Sequence, residues 1–343
     1  MKALVLHEAN TPFDLTDVPD PVAGPGEAVA KVFSCGAGLT IQHFKAGRVP
    51  AVFPRIIGHE ICAEIVEIGE QVSSLQVGDI VTAYFYLVCG HCRMCERDLQ
   101  PLCDNFGGYV GREIDGGYAE YIKLPERNFI VLPDGLDWQN QPAHVGVAMD
   151  ALATPYKVLR RARIRNGDTV AVFGAGGGLG IHQLMMAKWA GARVIAVDTK
   201  PSKFEACREA GADEVVDASS VEVVDALMEL TGGNGIDVAI DYVSVTSTLE
   251  AGTRALAKAG RLVTLGGAGQ EFRVNAKELL NRELAILGSR YVTPTEIRET
   301  YELMRRGEVW PIVTEIRPMD EAEALHELVE TGAVTGRAAL RIA

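Results

Sequence analysis

The stretch Thr169-Val170-Ala171-Val172-Phe173-Gly174-Ala175-Gly176-Gly177-Gly178-Leu179-Gly180 decides the fold. Five β-prone residues run straight into a glycine loop, a helical pattern follows over 181–190, and a second apolar run, 193–197, ends at Asp198. A glycine cluster alone is often only a turn. The order strand, glycines, helix, strand, acid is that of a parallel α/β unit with a phosphate-binding loop. Glycines let the backbone approach a pyrophosphate, and the free N–H groups at a helix N-terminus favour an anion. Gly174, Gly176, Gly177, Gly178, Leu179 and Gly180 are therefore expected to bind a dinucleotide, with Asp198 on the adenosine ribose 2′-hydroxyl. A carboxylate there repels a 2′-phosphate, so NAD is expected rather than NADP. Lys203, one helical turn on, either reaches the ribose or lies in solvent like most lysines.

Downstream, apolar runs at 238–241 and 262–265 alternate with helical patterns at 203–210 and 221–230, as in a parallel sheet covered on both faces. Upstream, residues 1 to about 145 hold short β-type runs at 28–33, 61–68, 79–83 and 118–122, each bounded by turn residues. That pattern predicts a mostly antiparallel, barrel-like domain. The end of the chain adds a helical pattern over 295–306 and short strands at 313–316 and 338–342, returning to the first domain. The expected division is 1–148 with 288–343, and 149–287; the run 284–292 reads as an edge strand.

Cys89, Cys92, Cys95 and Cys103 carry the second signature, Cys-Gly-His-Cys-Arg-Met-Cys with a fourth cysteine further on. Repeated Cys-x-x-Cys spacing gathers thiolates around one tetrahedral centre, a closed Cys₄ zinc site. Disulfides so tightly spaced would be strained, and a chain this long hardly needs them. A saturated site leaves no open position, so this zinc is structural. At 343 residues and 48% hydrophobic content the chain supports two cores. Its net charge of −13 argues against a nucleic-acid partner. Met1–Leu6 is too short an apolar run for a signal sequence, and no window suits a membrane span. Seven cysteines, four of them committed to a metal, fit a reducing cytoplasm.

The cysteine cluster, Gly58-His59-Glu60 and the glycine loop, in this order, resemble the zinc-dependent alcohol dehydrogenases of the medium-chain dehydrogenase/reductase family over nearly the whole chain. Gly78-Asp79-Ile80-Val81, Gly116-Gly117-Tyr118-Ala119-Glu120 and Gly336-Arg337 add to the resemblance. It implies an α/β fold of two parts, a GroES-like β-rich catalytic domain and a Rossmann doubly wound parallel-sheet domain, with the active site in the cleft between them. It also implies a small-molecule substrate and a homodimer or homotetramer.

The family's catalytic zinc is held by an early Cys, by the His of Gly-His-Glu, and by a Cys or Asp near the inter-domain helix. His59 and Asp150 match the second and third ligands. In Cys35-Gly36-Ala37-Gly38-Leu39-Thr40-Ile41-Gln42-His43 the first ligand falls on Gly38, which has no side chain. The Asp that braces the ligand histidine falls on Ile41. With thiolate and brace both gone, zinc affinity is expected to fall. A residual zinc would rest on His59 and Asp150, with Glu60 as a substitute carboxylate; otherwise the metal is lost. Cys35 is out of register, and Cys62 is expected to point into a core. Thr40 and His43 match the family's proton relay, and Arg337 matches an arginine that reaches the cofactor pyrophosphate. Phe85 falls at a pocket-lining position or serves as an ordinary core aromatic. His91, His144, His182 and His326 are expected to be structural or exposed.

The resemblance thus implies an NAD-dependent oxidoreductase of an alcohol/carbonyl pair, with Thr40, His43, His59, Glu60 and Asp150 at its centre. A metal-independent reductase of an activated C=C or C=N bond is the alternative. A non-enzymatic binding protein is a third reading, against which the retained Thr40, His43, His59 and Asp150 speak.

Overall fold

The structure is a computed structural model that describes residues 1–267 and 269–343. The chain forms two compact units, Met1–Ala153 with Val292–Ala343, and Thr154–Tyr291. In the second unit a six-stranded sheet runs Glu214–Asp217, Arg193–Asp198, Thr169–Phe173, Ile236–Asp241, Leu256–Thr264, Ala285–Gly288. Every pair is parallel. Val170, Ala171, Val172, Val194, Ile195, Ala196, Val238, Ala239 and Ile240 are fully buried, as covered parallel strands require. From Thr169–Phe173 the chain works outward to one edge and then crosses to the other side. The glycine loop therefore leaves the sheet where the strand order reverses, the place where doubly wound folds bind ligands. Ala285–Gly288 is an edge strand within the run expected to form one.

The first unit is β-rich. One sheet follows the path Val313–Pro318, Arg337–Arg341, Glu27–Gly36, Ile61–Ile68, Ile80–Ala83, Phe129–Val131, with Tyr121–Pro125 also paired to Glu27–Gly36. A smaller sheet joins Asp14–Asp17, Lys2–Leu6 and Arg55–Ile56. Pairing is antiparallel except between Val313–Pro318 and Arg337–Arg341. The strand expected over 118–122 starts later, at Tyr121. Tyr118 N donates to Ile57 O (3.0 Å) and Gly117 N to Gly58 O (2.9 Å), so a loop claims these amides before the strand begins.

Helix Pro142–Ala151 packs on this sheet at unusually short range. A Cβ on Gly146 would stand 2.9 Å from Cys62 N and 3.0 Å from Glu60 O, so helix backbone meets strand backbone. Only glycine permits that approach, and it carries Asp150, one turn further on, to the start of Ile61–Ile68. Gly146→Ala should therefore overpack the contact and lower stability by roughly 1–3 kcal/mol. Thermal unfolding of the variant beside the parent checks this; an unchanged Tm would remove the close-approach argument.

Candidate active site

The cysteine lobe has the geometry of a metal site. Cys103 Sγ lies 3.6 Å from Cys89 Sγ and 3.8 Å from Cys92 Sγ, and no disulfide links any described cysteine. The four thiols form one cluster with all ligand atoms within 4.8 Å of one another. Zn–S bonds of about 2.3 Å meeting tetrahedrally put sulfurs about 3.8 Å apart, so the four residues fit zinc. Backbone N–H groups of Cys89 and Asp104 point at the sulfurs of Cys103 and Cys92, each at 3.4 Å. The His91 backbone amide helps most to draw the Cys89 thiol down to about 6, while burial pushes Cys95 up to about 12. Bound zinc would supply a cross-link with no position left for chemistry.

In the glycine loop Gly176 N donates to Asp198 Oδ2 at 2.8 Å, and Lys200 N to Asp198 Oδ1 at 3.0 Å. Gly174 takes φ = 72°, in the left-handed region open to glycine. A Cβ on Gly180 would collide with Gly174 O and stand 2.9 Å from Ala175 Cα, so the helix Gly180–Trp189 starts tight against the strand end. Gly177 N donates back to Gly174 O at 3.0 Å, and Leu179 is the residue just before the helix. Gly178 O faces His182 Nδ1 at 2.6 Å, which fixes that buried imidazole inside the helix. Lys203 is buried and donates to Gly176 O at 3.1 Å, so the solvated-surface reading of this lysine does not hold. Burial, more than the nearby Lys200, lowers its pKa.

In the first unit, His59, Glu60 and Asp150 form a second cluster of ligand-type atoms within 4.8 Å of one another. Arg337 stands among them. Its Nη2 donates to Asp150 Oδ2 at 2.8 Å and lies 3.4 Å from Glu60 Oε1, with the arginine and Glu60 side chains 7% and 1% exposed. The arginine expected at a pyrophosphate is thus in contact with two carboxyl groups. Burial pushes the Glu60 carboxyl up to about 8; Arg337 pulls against this and Asp150 adds to it. Burial lowers His59 to about 4, so its imidazole is neutral. The His59 ring stacks on Phe85 at 3.7 Å and 22°, which gives that aromatic a contact with the centre. His59 Nδ1 and Glu60 Oε2 are buried and take no hydrogen bond from the described residues.

The donor set lacks the family's first zinc ligand, since Gly38 offers no side chain. His59, Glu60 and Asp150 remain, and Arg337 contacts both of their carboxyl groups. Cys35 and Cys62 are fully buried core thiols with raised pKa values. Helix Leu39–Lys45 begins directly after Gly38 and carries Thr40 and His43 three apart, on one face. Thr40 is exposed and His43 half-buried.

Sequence reasoning missed the support behind that helix. His326, expected to be structural or exposed, is buried, with Nε2 2.8 Å from Tyr118 Oη and Nδ1 2.7 Å from Gln42 Oε1. Gln42 Nε2 also donates to Glu330 Oε2 at 2.7 Å. These partners lie 208 and 284 residues apart in the chain, so no local pattern announces them.

Comparison with known proteins places both units. The "Alcohol dehydrogenase GroES-like domain" family matches residues 24–134, and the "Zinc-binding dehydrogenase" family matches residues 178–306. An "Alcohol dehydrogenase" of Geobacillus stearothermophilus is 31% identical, over 100% of this chain and 99% of its own. An "NAD-dependent alcohol dehydrogenase" of Sulfurisphaera tokodaii is 29% identical, over 99% of both chains. Among solved structures, AibC superposes with a TM-score of 0.91 at 30% identity, covering 100% of this chain and 96% of its own. The alcohol dehydrogenase of Aeropyrum pernix gives 0.89 at 32%, covering 99% and 100%.

We propose that Asp198, held at the strand end by the Gly176 and Lys200 amides, discriminates between the cofactor riboses. Asp198→Ala should weaken NAD binding and narrow the preference over NADP, read as dissociation constants for both cofactors by fluorescence titration. Parent protein binding NADP as tightly as NAD would show that Asp198 does not hold that role.

Proposed function

The chain belongs to the zinc-type alcohol dehydrogenase family of the medium-chain dehydrogenases/reductases, and from that premise we propose that it interconverts an alcohol and a carbonyl compound with NAD. Bound NAD supplies the hydride acceptor or donor. The observation that carries the reading is the pair Thr40 and His43, one turn apart on a helix that starts beside the His59–Glu60–Asp150–Arg337 cluster. The exposed Thr40 hydroxyl meets the reacting oxygen of the substrate and passes its proton on towards His43. Burial and the Arg48 charge lower the His43 pKa, against Glu330, so the imidazole is free to accept a proton at neutral pH. The substrate is a small molecule, and a zinc ion at this centre is weak or absent. The exposed sheet edge at Ala285–Gly288 suits pairing with a second copy, and we take the working form as a homodimer or homotetramer. The described cysteines are without disulfides, which suits the cytoplasm. No helix among the described residues is long and apolar enough to cross a membrane.

The test is NADH absorbance with a panel of primary and secondary alcohols and the matching carbonyls, with enones as the contrasting class. Thr40→Ala should lower turnover by about 10²–10⁴-fold, the usual contribution of a general acid or base, and leave NAD affinity nearly unchanged. Full turnover in Thr40→Ala would remove the relay, and turnover of enones alone would replace the alcohol/carbonyl reading.

A further inference from the structure

A series of ring faces leads from His59 to one arginine. The His59 ring stacks on Phe85 at 3.7 Å, and Phe85 stacks on Tyr109 at 4.9 Å and 30°. The Arg112 guanidinium carbon lies over the Tyr109 ring at 5.2 Å and over the Phe44 ring at 5.8 Å. Phe44 belongs to helix Leu39–Lys45, next to His43 and one turn past Thr40, so it shares a face with Thr40. The series therefore begins at the His59–Glu60–Asp150 cluster and ends on the helix of the proposed proton relay. Arg112 bridges its last two rings, and all of these residues lie in the first unit.

Arg112 is held at one edge and open at the other. Its Nε donates to Pro50 O at 2.6 Å, and the two rings set the plane of the guanidinium. Glu113 Oε1 lies 3.3 Å from the same Nε, while Glu113 Oε2 accepts from Tyr109 N at 2.6 Å, so that carboxylate is turned to the loop backbone. Nη1 and Nη2 have no hydrogen-bond partner among the described residues, and the side chain is 20% exposed. Arg261, at 19% exposed, is the contrast. It engages Nε and both terminal nitrogens with the carbonyls of Ala162, Asp237 and Arg163 and with Asp168. An arginine kept only to fasten a loop closes its fork in that way, and Arg112 does not.

We propose that Arg112 anchors an anionic group of the substrate: the alcohol or carbonyl compound carries a carboxylate or phosphate that binds the Nη1–Nη2 fork, with the rings of Tyr109 and Phe85 between that anchor and His59. The proposal rests on the alcohol/carbonyl reading given above and names the substrate class. A planar fork of N–H donors matches the two oxygens of a carboxylate or phosphate, and such charge-assisted pairs are strong and directional. A chain of net charge −13 offers an anion no general attraction, so an acidic substrate needs a local cation held in place. The aromatic faces supply the holding without using the donors.

Paired aldehydes that differ in charge read the anchor. With NADH and the full-length protein, kcat/KM is measured for 4-carboxybenzaldehyde against its methyl ester, and for glyceraldehyde 3-phosphate against glyceraldehyde. The two pairs separate a carboxylate from a phosphate. The parent should favour the acid in at least one pair by about 10–100-fold, chiefly through KM, the range for hydrogen bonds to a charged group. In Arg112→Ala that preference should vanish. Arg112→Gln, neutral and still polar, gives the same reading if the alanine variant does not fold. Equal kcat/KM within both pairs of the parent overturns the proposal. So does an acid preference that survives in folded Arg112→Ala or Arg112→Gln, the result expected if the arginine only fastens the loop. Turnover without any acid preference leaves the alcohol/carbonyl reading standing while this inference falls. If no aldehyde reacts, benzoate and benzamide are titrated against the NADH-loaded protein by NADH fluorescence. Binding of benzoate alone, lost in Arg112→Ala, keeps the anchor while the functional reading falls; equal or absent binding of both removes the anchor too.

Discussion

In the unit that carries Thr40 and His43, neighbouring segments are arranged around the contact between the Arg337 guanidinium and the carboxyls of Asp150 and Glu60. Taking a carboxylate out of water costs several kcal/mol unless a cation and hydrogen bonds accompany it. Removing one member of such a buried pair typically costs about 3–5 kcal/mol, because the other charge is then uncompensated. The surrounding glycines follow from that demand. Gly336 turns the chain so that Arg337 enters the sheet, Gly146 lets the helix of Asp150 approach, and Gly36 and Gly38 leave volume for Glu60 and the guanidinium. Each is a place where a Cβ would push Glu60, Asp150 or Arg337 out of line.

Asp198, in the other unit, is carried differently. Backbone amides of Gly176 and Lys200 hold its two oxygens, and Lys203 donates to the Gly176 carbonyl. A carboxylate held by N–H groups at a strand end stays half-exposed and able to accept from a sugar hydroxyl. One matched by a buried guanidinium is committed to its partner. On the proposed reading, the two sites use the same side-chain chemistry for opposite purposes, one for recognition and one for organisation.

The parts of the fold legible in the sequence were those written in local periodicity. Thr169–Phe173 and Ile61–Ile68 fall on the residues that their apolar patterns mark, because a covered strand needs a short unbroken run and the glycines beside it admit no helix. The cysteine cluster was legible because its ligands are close in sequence. Tyr118 was misplaced into a strand because its β-prone side chain says nothing of the loop that takes its amide. The Arg337 contacts lay beyond reach for another reason. A Gly-Arg pair near the chain end reveals neither the register opposite Gly38 nor the approach of Asp150, both of which arise from tertiary pairing. Lys203 was ambiguous in sequence, since lysine is ordinarily exposed and its burial here depends on a carbonyl in the glycine loop.

His59 adds an independent line to the argument. A ligand histidine is ordinarily oriented by an acceptor on its second ring nitrogen. Ile41 stands where the resemblance places that acceptor, and it is a fully buried hydrocarbon. His59 Nδ1 accordingly has no hydrogen-bond partner among the described residues, and the ring is held by stacking on Phe85. Stacking fixes the plane of an imidazole but leaves its tautomer open, whereas a carboxylate would set the tautomer and raise its basicity. Gly38 removes a ligand, and Ile41 removes the brace of the next. Gly38 and Ile41, neighbours on one segment, thus act on the same metal site in the same direction, the pattern of a site remodelled rather than of a chance substitution.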